Sequence, residues 1–238
     1  MAKSFRENKT SFKVEIGDFL FKHRSFTPIP LIIIVILFFR PIDCGKFNLI
    51  LNLCGLVISI VGELIRVLGV GFSLSGTSGR ENYLRADNLN MTGIYSIVRN
   101  PLYIGNVLIY SGMLVVFSNL FAILVFTIFI ILQYYFIILS EEDYLMKKYG
   151  KGFDLYLKNV SRIVPNFKNY KKPIIKFSLK KVIFNENDSI FNISMMFVLI
   201  LAYKERVFYE RIGNLEIYII TGILLIFVYA IIKILKKH

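Results

Sequence analysis

The feature that most constrains this chain is a series of six apolar runs separated by short polar segments. They cover residues 28–39, 47–72, 101–117, 120–139, 189–203 and 215–235. A membrane-spanning helix needs about 20 consecutive, mostly apolar residues. The 47–72 run exceeds that length, whereas the 189–203 run is short enough to be re-entrant or interfacial instead. We therefore predict an all-α fold, a polytopic membrane helical bundle with about six transmembrane helices.

Composition and charge agree with a membrane location. Apolar residues make up 55% of the chain and charged residues 19%, a balance that would expose large apolar patches on a water-soluble globule. The net charge of +13 would suit nucleic acid, but the positive-inside bias of membrane proteins explains it better. With six spans, 22 of the 29 Lys and Arg residues fall on one side and five on the other, and Arg66 and Lys233 lie within the second and sixth runs. This predicts both termini at the cytoplasmic face of a bacterial inner membrane and no nucleic-acid partner.

The order of apolar and polar segments predicts four parts. A cytoplasmic tail (1–26) precedes a four-span core (27–165), a Lys-rich linker (166–188) and a C-terminal transmembrane hairpin (189–238). Within the core, Ser118 and Asn119 alone separate the third and fourth spans, which predicts a tight helical hairpin. A short amphipathic helix is expected over 143–150, ending at Gly150.

Polar residues concentrate at the start of the third span and the end of the fourth. Pro101 suits the first position of a helix with Asn100 as its N-cap. Tyr103, Asn106 and Tyr110 lie at i, i+3 and i+7 and therefore share one helical face. In an antiparallel hairpin, residues 99–106 and 133–142 meet at the same membrane level. The alternative is that the acidic pair at the end of the fourth span is simply solvated.

Several other residues need a place in a membrane fold. Glu63 and Arg66 stand at i, i+3 inside the second span, where charges must pair or face a polar cavity. Gly105 and Gly112 favour close helix packing. The histidines, His23 and His238, lie near the two ends of the chain, so we expect no metal site.

A set of motifs between residues 73 and 165 resembles a known family. The motifs are Gly93-x-Tyr95-x-x-x-Arg99-Asn100-Pro101-x-Tyr103-x-Gly105, the pair Glu141-Glu142, Gly150-Lys-Gly-Phe-x-x-Tyr156, and Arg162-x-x-Pro165. Together they resemble the isoprenylcysteine carboxyl methyltransferase family, which includes phospholipid methyltransferases. The resemblance implies an S-adenosylmethionine pocket at the cytoplasmic face, closed by the segment after the paired glutamates. The chain departs from the family's commonest pattern at Asn100, where His is usual, and at Phe153, where Tyr is usual.

The chemistry of the cofactor and the resemblance together imply roles for these side chains. Arg99 suits the cofactor carboxylate because a guanidinium binds carboxylates in a two-pronged geometry. Either glutamate suits the ribose hydroxyls or the amine. The predicted catalytic residues are Arg99, Asn100 and Glu142. The predicted cofactor-binding residues are Tyr95, Arg99, Asn100, Tyr103, Gly105, Glu141 and Glu142.

The methyl acceptor follows from the charge near this site. An amine must lose a proton before it attacks, whereas a phosphate or carboxylate needs positioning and partial charge compensation. Arginines are abundant here, and we assign acceptor binding to Arg66, Arg80, Arg85 and Arg162. We therefore expect O-methylation of an anionic lipid-linked acceptor, first a lipid phosphate such as that of lipid A. The alternatives are a prenylcysteine carboxylate, the amine of phosphatidylethanolamine, and, outside enzymes, a small membrane transporter.

Overall fold

The computed structural model describes residues 11–74, 76–77, 83–210, 213 and 215–237, and these residues form an all-α bundle. The helices are α1 (Phe12–His23), α2 (Pro28–Phe38), α3 (Asn48–Gly71), α4 (Ile94–Ile97), α5 (Pro101–Phe117), α6 (Leu120–Tyr149), α7 (Lys151–Asn159), α8 (Leu179–Tyr209) and α9 (Leu215–Lys237). Helix α5 is central and contacts α3, α6 and α8. The predicted all-α helical bundle is confirmed.

The connection between α5 and α6 is the predicted tight hairpin. Ser118 ends α5 in the left-handed conformation, and the Asn119 side chain accepts a hydrogen bond from the Ala122 amide at 3.0 Å. Helix α6 then continues without a break to Tyr149 and stops at Gly150, whose φ is +53°. The segment 143–150 is therefore not a separate helix, because nothing interrupts α6 before that glycine. The short amphipathic helix is instead α7, which follows it.

Helices α3 and α5 pack at the smallest possible separation. A Cβ added to Gly62 would lie 2.6 Å from the Gly105 carbonyl oxygen, and one added to Gly112 would lie 2.3 Å from the Gly55 carbonyl oxygen. Side chains at these four positions would force the two backbones apart. Gly105 and Gly112 therefore permit close helix packing, as predicted. This packing fixes the position of α5 relative to α3.

The amino-terminal segment differs from the predicted polar tail. Residues 12–23 form α1, which meets α2 at a bend of 78°. Helix α1 packs on α6, where Gly17 lies against the Phe136 backbone and Asp18 hydrogen-bonds to Ser140. An apolar side chain, Phe21, is 3% exposed in the same contact. The charged residues of this segment led to the prediction of a polar tail, but the side of α1 that faces α6 carries small and apolar residues, Gly17 and Phe21.

The carboxyl-terminal part also begins earlier than the predicted boundary at 188/189. Helix α8 starts at Leu179, where the Ser178 side chain accepts a hydrogen bond from the Lys181 amide at 3.3 Å. At its other end Lys204 is 4% exposed and donates to the Val116 carbonyl at 2.7 Å and to Asn52 at 2.9 Å. A lysine that the sequence places in a loop therefore ties α8 to the ends of α3 and α5.

Within the described part of the chain, fewer helices are long and apolar enough to cross a membrane than the six predicted. By length and composition α3, α6 and α9 are long and apolar enough to cross a membrane, and the bent pair α1–α2 would make a fourth. Helix α5 is apolar but has 17 residues, and α8 carries many polar residues along its first half. The chain has three to four candidate spans around a helix that is shorter than a usual span.

Candidate active site

A polar cavity of 520 Å³ lies beside α5. This volume is within the range of small-molecule and cofactor sites. Its walls come from α5 and α6, from α8 and the end of α3 on one side, and from the end of α1 and the 84–90 loop on the other. The residues of α5 on this wall include Tyr103, Asn106 and Tyr110, the three polar residues predicted to share a face. That prediction is confirmed.

The loop before α5 is fixed by the strand-like segment that follows α7. The Gly93 amide donates to the Lys171 carbonyl at 2.8 Å, and the Arg99 amide donates to the Ser161 carbonyl at 2.9 Å. The Tyr156 hydroxyl donates to the Tyr95 carbonyl at 2.7 Å. Gly93 has φ of +62°, a value that glycine adopts without strain. The conformation of the 93–101 turn therefore depends on residues about 60 to 80 positions later.

Arg99 connects the start of α5 to both α6 and α7. Its Nη2 donates to Glu142 Oε1 at 3.0 Å, and its Nη1 donates to the Leu157 and Val160 carbonyls, both at 2.8 Å. A cation at the last carbonyls of a helix is favourable because the helix dipole is negative there. Its buried Nε has no hydrogen-bond partner within the described part of the chain. Since buried donors are normally satisfied, this atom is where a polar ligand group would fit.

Glu142 lies between two arginines. Arg162 Nη2 is 2.5 Å from Glu142 Oε2, and its Nε donates at 3.1 Å to Oε1, the oxygen that Arg99 also contacts. Breaking such a buried pair from one side leaves an uncompensated charge, which costs more than the pair contributes when intact. Glu142 binds Arg99 and Arg162 binds Glu142, but neither Glu142 nor Arg162 lines the cavity.

Glu141, in contrast, is part of the wall. The Tyr103 hydroxyl donates to Glu141 Oε1 at 2.8 Å, and the Tyr103 ring stacks on Tyr134 with 4.7 Å between centroids. Tyr95 lines the same region, and burial raises the pKa of its phenol above the ordinary value. Tyr95 therefore stays protonated at neutral pH and can donate a hydrogen bond. This end of the cavity combines a carboxylate with flat aromatic surfaces.

At the other end, Arg66 is the central cation. It donates to Glu186 Oε2 at 2.5 Å through Nη2 and to Ser189 at 2.9 Å, and its Nη1 donates to Asn106. Glu63 lies 3.6 Å from its Nε. The predicted Glu63–Arg66 pairing is present, but the shorter ion pair is with Glu186, on a helix far away in sequence.

The structure brings most of the predicted cofactor residues together. Tyr95, Arg99, Asn100, Tyr103 and Glu141 all line the cavity, and Glu142 contacts Arg99. Asn100 does not cap α5 with its side chain, because its amide donates to the Arg162 carbonyl at 3.1 Å. Whether these residues bind a cofactor is a proposal taken up below.

Other predicted residues have different surroundings. Gly105 faces α3, where a Cβ would lie 2.6 Å from Arg66 Cγ, and it is not among the residues that line the cavity. Arg162 pairs with Glu142 and does not line the cavity, so it is not placed to contact an acceptor there. Arg85 lines the cavity but is 46% exposed and pairs with Asp87 at 2.6 Å. Arg80 lies outside the described residues.

Two segments that the sequence did not assign to the site form part of its wall. From the amino-terminal part come Phe21, Arg24 and Ser25, and from α8 come Glu186, Asp188, Ser189 and Asn192. The alternation of apolar and polar residues over 12–23 was the available signal for the first. The available signal for α8 was a set of four polar residues, two just before the fifth apolar run and two at its start. Among the described residues, no group of three His, Cys, Asp or Glu side chains could hold a metal ion.

Comparison with known proteins adds one match. Residues 48–152 match the model of the phospholipid methyltransferase family. No curated protein and no solved structure matches the chain. The matched segment runs from the start of α3 to the first residues of α7 and contains Arg99, Tyr103 and both glutamates. The resemblance seen in the motifs is confirmed over this segment.

Proposed function

We propose that this chain, whose residues 48–152 match the model of the phospholipid methyltransferase family, is an integral-membrane enzyme that uses S-adenosylmethionine to methylate a membrane lipid. The observation that carries the proposal is the polar cavity on α5, because it brings Arg99, Tyr103 and Glu141 from the family segment to one wall. A structural bundle would fill this space with apolar side chains. A transporter would place its polar groups along a path near the membrane midplane.

The residues at the Glu141 end fit the cofactor. Glu141 would accept hydrogen bonds from the ribose hydroxyls or the amine, and the buried Arg99 Nε would donate to the carboxylate. The rings of Tyr95 and Tyr103 offer flat surfaces to the adenine or to a positive charge. When bound, the cofactor supplies an electrophilic methyl group on a sulfonium.

The contribution of the protein is alignment. Displacement at a methyl carbon is in line, so holding the acceptor opposite the leaving sulfur supplies much of the rate. The hydrogen bond of Tyr103 to Glu141 and its stacking on Tyr134 hold these side chains in fixed positions. The side-chain amide of Asn100 cannot act as a base. We assign Asn100 a positioning role, because its hydrogen bond to the Arg162 carbonyl connects the start of α5 to the segment after α7.

The acceptor is the finer part of the proposal. A lipid phosphate is the first candidate, because Arg24, Arg66 and Arg99 line the cavity. The cationic excess is smaller than the sequence implies, since Arg66 and Arg99 have carboxylate partners. A lipid amine is the second candidate, favoured by Glu186 and Asp188 on the same wall.

A methyl-transfer assay with purified protein tests both the methyltransferase activity and the identity of the acceptor. The protein in detergent is given labelled S-adenosylmethionine with lipid A, with phosphatidylethanolamine, or with a prenylcysteine analogue. We expect label in one lipid, and fragment-ion mass spectrometry assigns the methyl to phosphate, carboxylate or amine. We also expect the triple variant Arg99→Ala, Glu141→Ala, Glu142→Ala to lose its binding of S-adenosylmethionine. Undiminished binding in a folded triple variant contradicts the assigned cofactor site.

A further inference from the structure

Arg66 has two carboxylate partners, Glu63 and Glu186, although one carboxylate would be enough to neutralise its charge. Glu186 Oε2 lies 3.1 Å from Nε and 2.5 Å from Nη2 of Arg66, and the two side chains are 12% and 1% exposed. Glu63 on the same helix as Arg66 already places a carboxylate 3.6 Å from Nε. A second buried carboxylate therefore does more than neutralise the guanidinium. It sets the direction in which the guanidinium points.

The remaining contacts restrict Arg66 further. Ser189 accepts from Nη2 at 2.9 Å, and Asn106 accepts from Nη1. Arg66 is thus held by side chains from α5 and α8 as well as by its own helix. Because a guanidinium has five donors in a rigid plane, contacts at three nitrogens leave one orientation. The plane is fixed at the cavity wall.

This cluster adjoins the proposed cofactor contacts. Asn106, which contacts Arg66, lies three residues beyond Tyr103 on α5, about 4.5 Å along the helix at 1.5 Å per residue. Tyr103 in turn donates to Glu141. The cavity of 520 Å³ therefore offers polar contacts around Glu141 and, one helical turn away, a second set around Arg66.

Glu186 and Ser189 also lie outside the matched family segment. That segment, 48–152, contains Arg66 and Asn106, and the two partners on α8 come from beyond it. The ion pair therefore joins a residue of the matched segment to a helix that lies outside it.

We propose that Glu186 is a positioning residue for the lipid acceptor. It holds Arg66 so that the guanidinium, together with Asn106, contacts the polar headgroup, while the cofactor occupies the Glu141 end. The inference rests on the proposed methyltransferase function. It makes α8 a determinant of acceptor affinity and leaves cofactor affinity to the residues around Arg99 and Glu141.

The experiment compares Glu186→Gln with Glu205→Gln, a matched control at the other end of α8 whose carboxylate accepts from the Gly213 amide. The acceptor is phosphatidylethanolamine or lipid A in mixed micelles, whichever takes methyl from the wild type. We expect the KM for that lipid to rise about tenfold in Glu186→Gln, while the Kd for S-adenosylmethionine, measured by equilibrium dialysis, stays within about twofold. Glu205→Gln should change neither value.

A double-mutant cycle separates positioning from structure. If Glu186 acts through Arg66, Glu186→Gln should add little to the KM of Arg66→Met, whereas independent effects would multiply. Ser189→Ala removes one contact to Arg66 and keeps the ion pair, so it should raise KM by about twofold to threefold. This variant tests the inference if Glu186→Gln does not fold.

Each outcome has one meaning. An unchanged acceptor KM in both α8 variants, fully multiplicative effects in the cycle, or a shift confined to cofactor Kd overturns the role of Glu186. A wild-type protein that neither binds S-adenosylmethionine nor transfers methyl overturns the proposed function instead. The two failures are therefore distinguishable.

Discussion

The two faces of α5 have different roles, one in packing against α3 and the other in lining the cavity. One face carries Gly105 and Gly112 and lies against α3 with no room for a Cβ. The other carries Tyr103, Asn106 and Tyr110 and borders the cavity. The glycine face is closely packed against α3, while the tyrosine face borders the cavity with polar groups.

The difference shows how a short helix can support a site inside a membrane protein. In lipid, helix association depends on close van der Waals packing, which small residues permit. The glycine face fixes α5 against α3 and therefore also fixes its tyrosines relative to Arg66. Variants on one face should change stability, and variants on the other should change ligand binding.

The largest expected effect comes from Glu142, which supports the start of the polar face. Glu142→Ala removes the carboxylate that pairs with both Arg99 and Arg162. Removing one partner of a buried pair typically costs about 3–5 kcal/mol. We expect a clearly lower melting temperature in detergent, measured by intrinsic tyrosine fluorescence. A melting temperature equal to that of the wild type would show that this charge cluster does not hold α5, α6 and α7 together.

Glu141→Gln should chiefly affect binding. The amide still accepts a hydrogen bond from Tyr103 but loses the negative charge at the cavity wall. Hydrogen bonds to charged groups contribute about 1.5–3 kcal/mol, so the affinity for S-adenosylmethionine should fall roughly tenfold to a hundredfold. Equilibrium dialysis measures this. A melting temperature close to that of the wild type is expected alongside it, and unchanged affinity would remove Glu141 from the cofactor site.

Gly112→Ala should show the reverse behaviour. The new Cβ would meet the Gly55 carbonyl oxygen at 2.3 Å, so α3 and α5 must separate. Overpacking of this kind costs about 1–3 kcal/mol, visible as a lower melting temperature. Gly222→Ala on α9 is the control, because nothing lies within 4 Å of its added Cβ. Equal melting temperatures for the two variants would contradict the tight α3–α5 contact.

The smallest effect is expected from Tyr103→Phe. The change removes the hydroxyl that donates to Glu141 and keeps the ring that stacks on Tyr134. A typical hydrogen bond contributes about 0.5–1.5 kcal/mol, so cofactor affinity should fall between about twofold and tenfold. A loss as large as that of Glu141→Gln would mean that the hydroxyl contacts the cofactor directly.

Local patterns in the sequence predicted the parts of the site that lie close together along the chain. The i, i+3, i+7 spacing placed Tyr103, Asn106 and Tyr110 on one face, and the two-residue break at Ser118-Asn119 gave the hairpin that brings Glu141 and Glu142 to Arg99. Both predictions depend on helical periodicity, which neighbouring residues determine.

Contacts across long sequence separations were predicted less well. The polar residues of 12–23 concealed a helix, since its inner side is Gly17 and Phe21 rather than a long apolar run. Arginines that suggested an anionic acceptor have carboxylate partners from elsewhere, as Arg66 has Glu186. A count of charges in the sequence cannot include such pairings.

The sequence by itself determined a helical membrane bundle, the central hairpin and the family segment, because hydrophobic length, helical periodicity and motif spacing are local properties. Only the tertiary structure decided which face of α5 borders the cavity, which carboxylates pair with Arg66 and Arg99, and that the end of α1 and α8 complete the cavity walls. The physical reason is that buried charges take their partners from whichever helix packs beside them, and that choice is made when the helices associate.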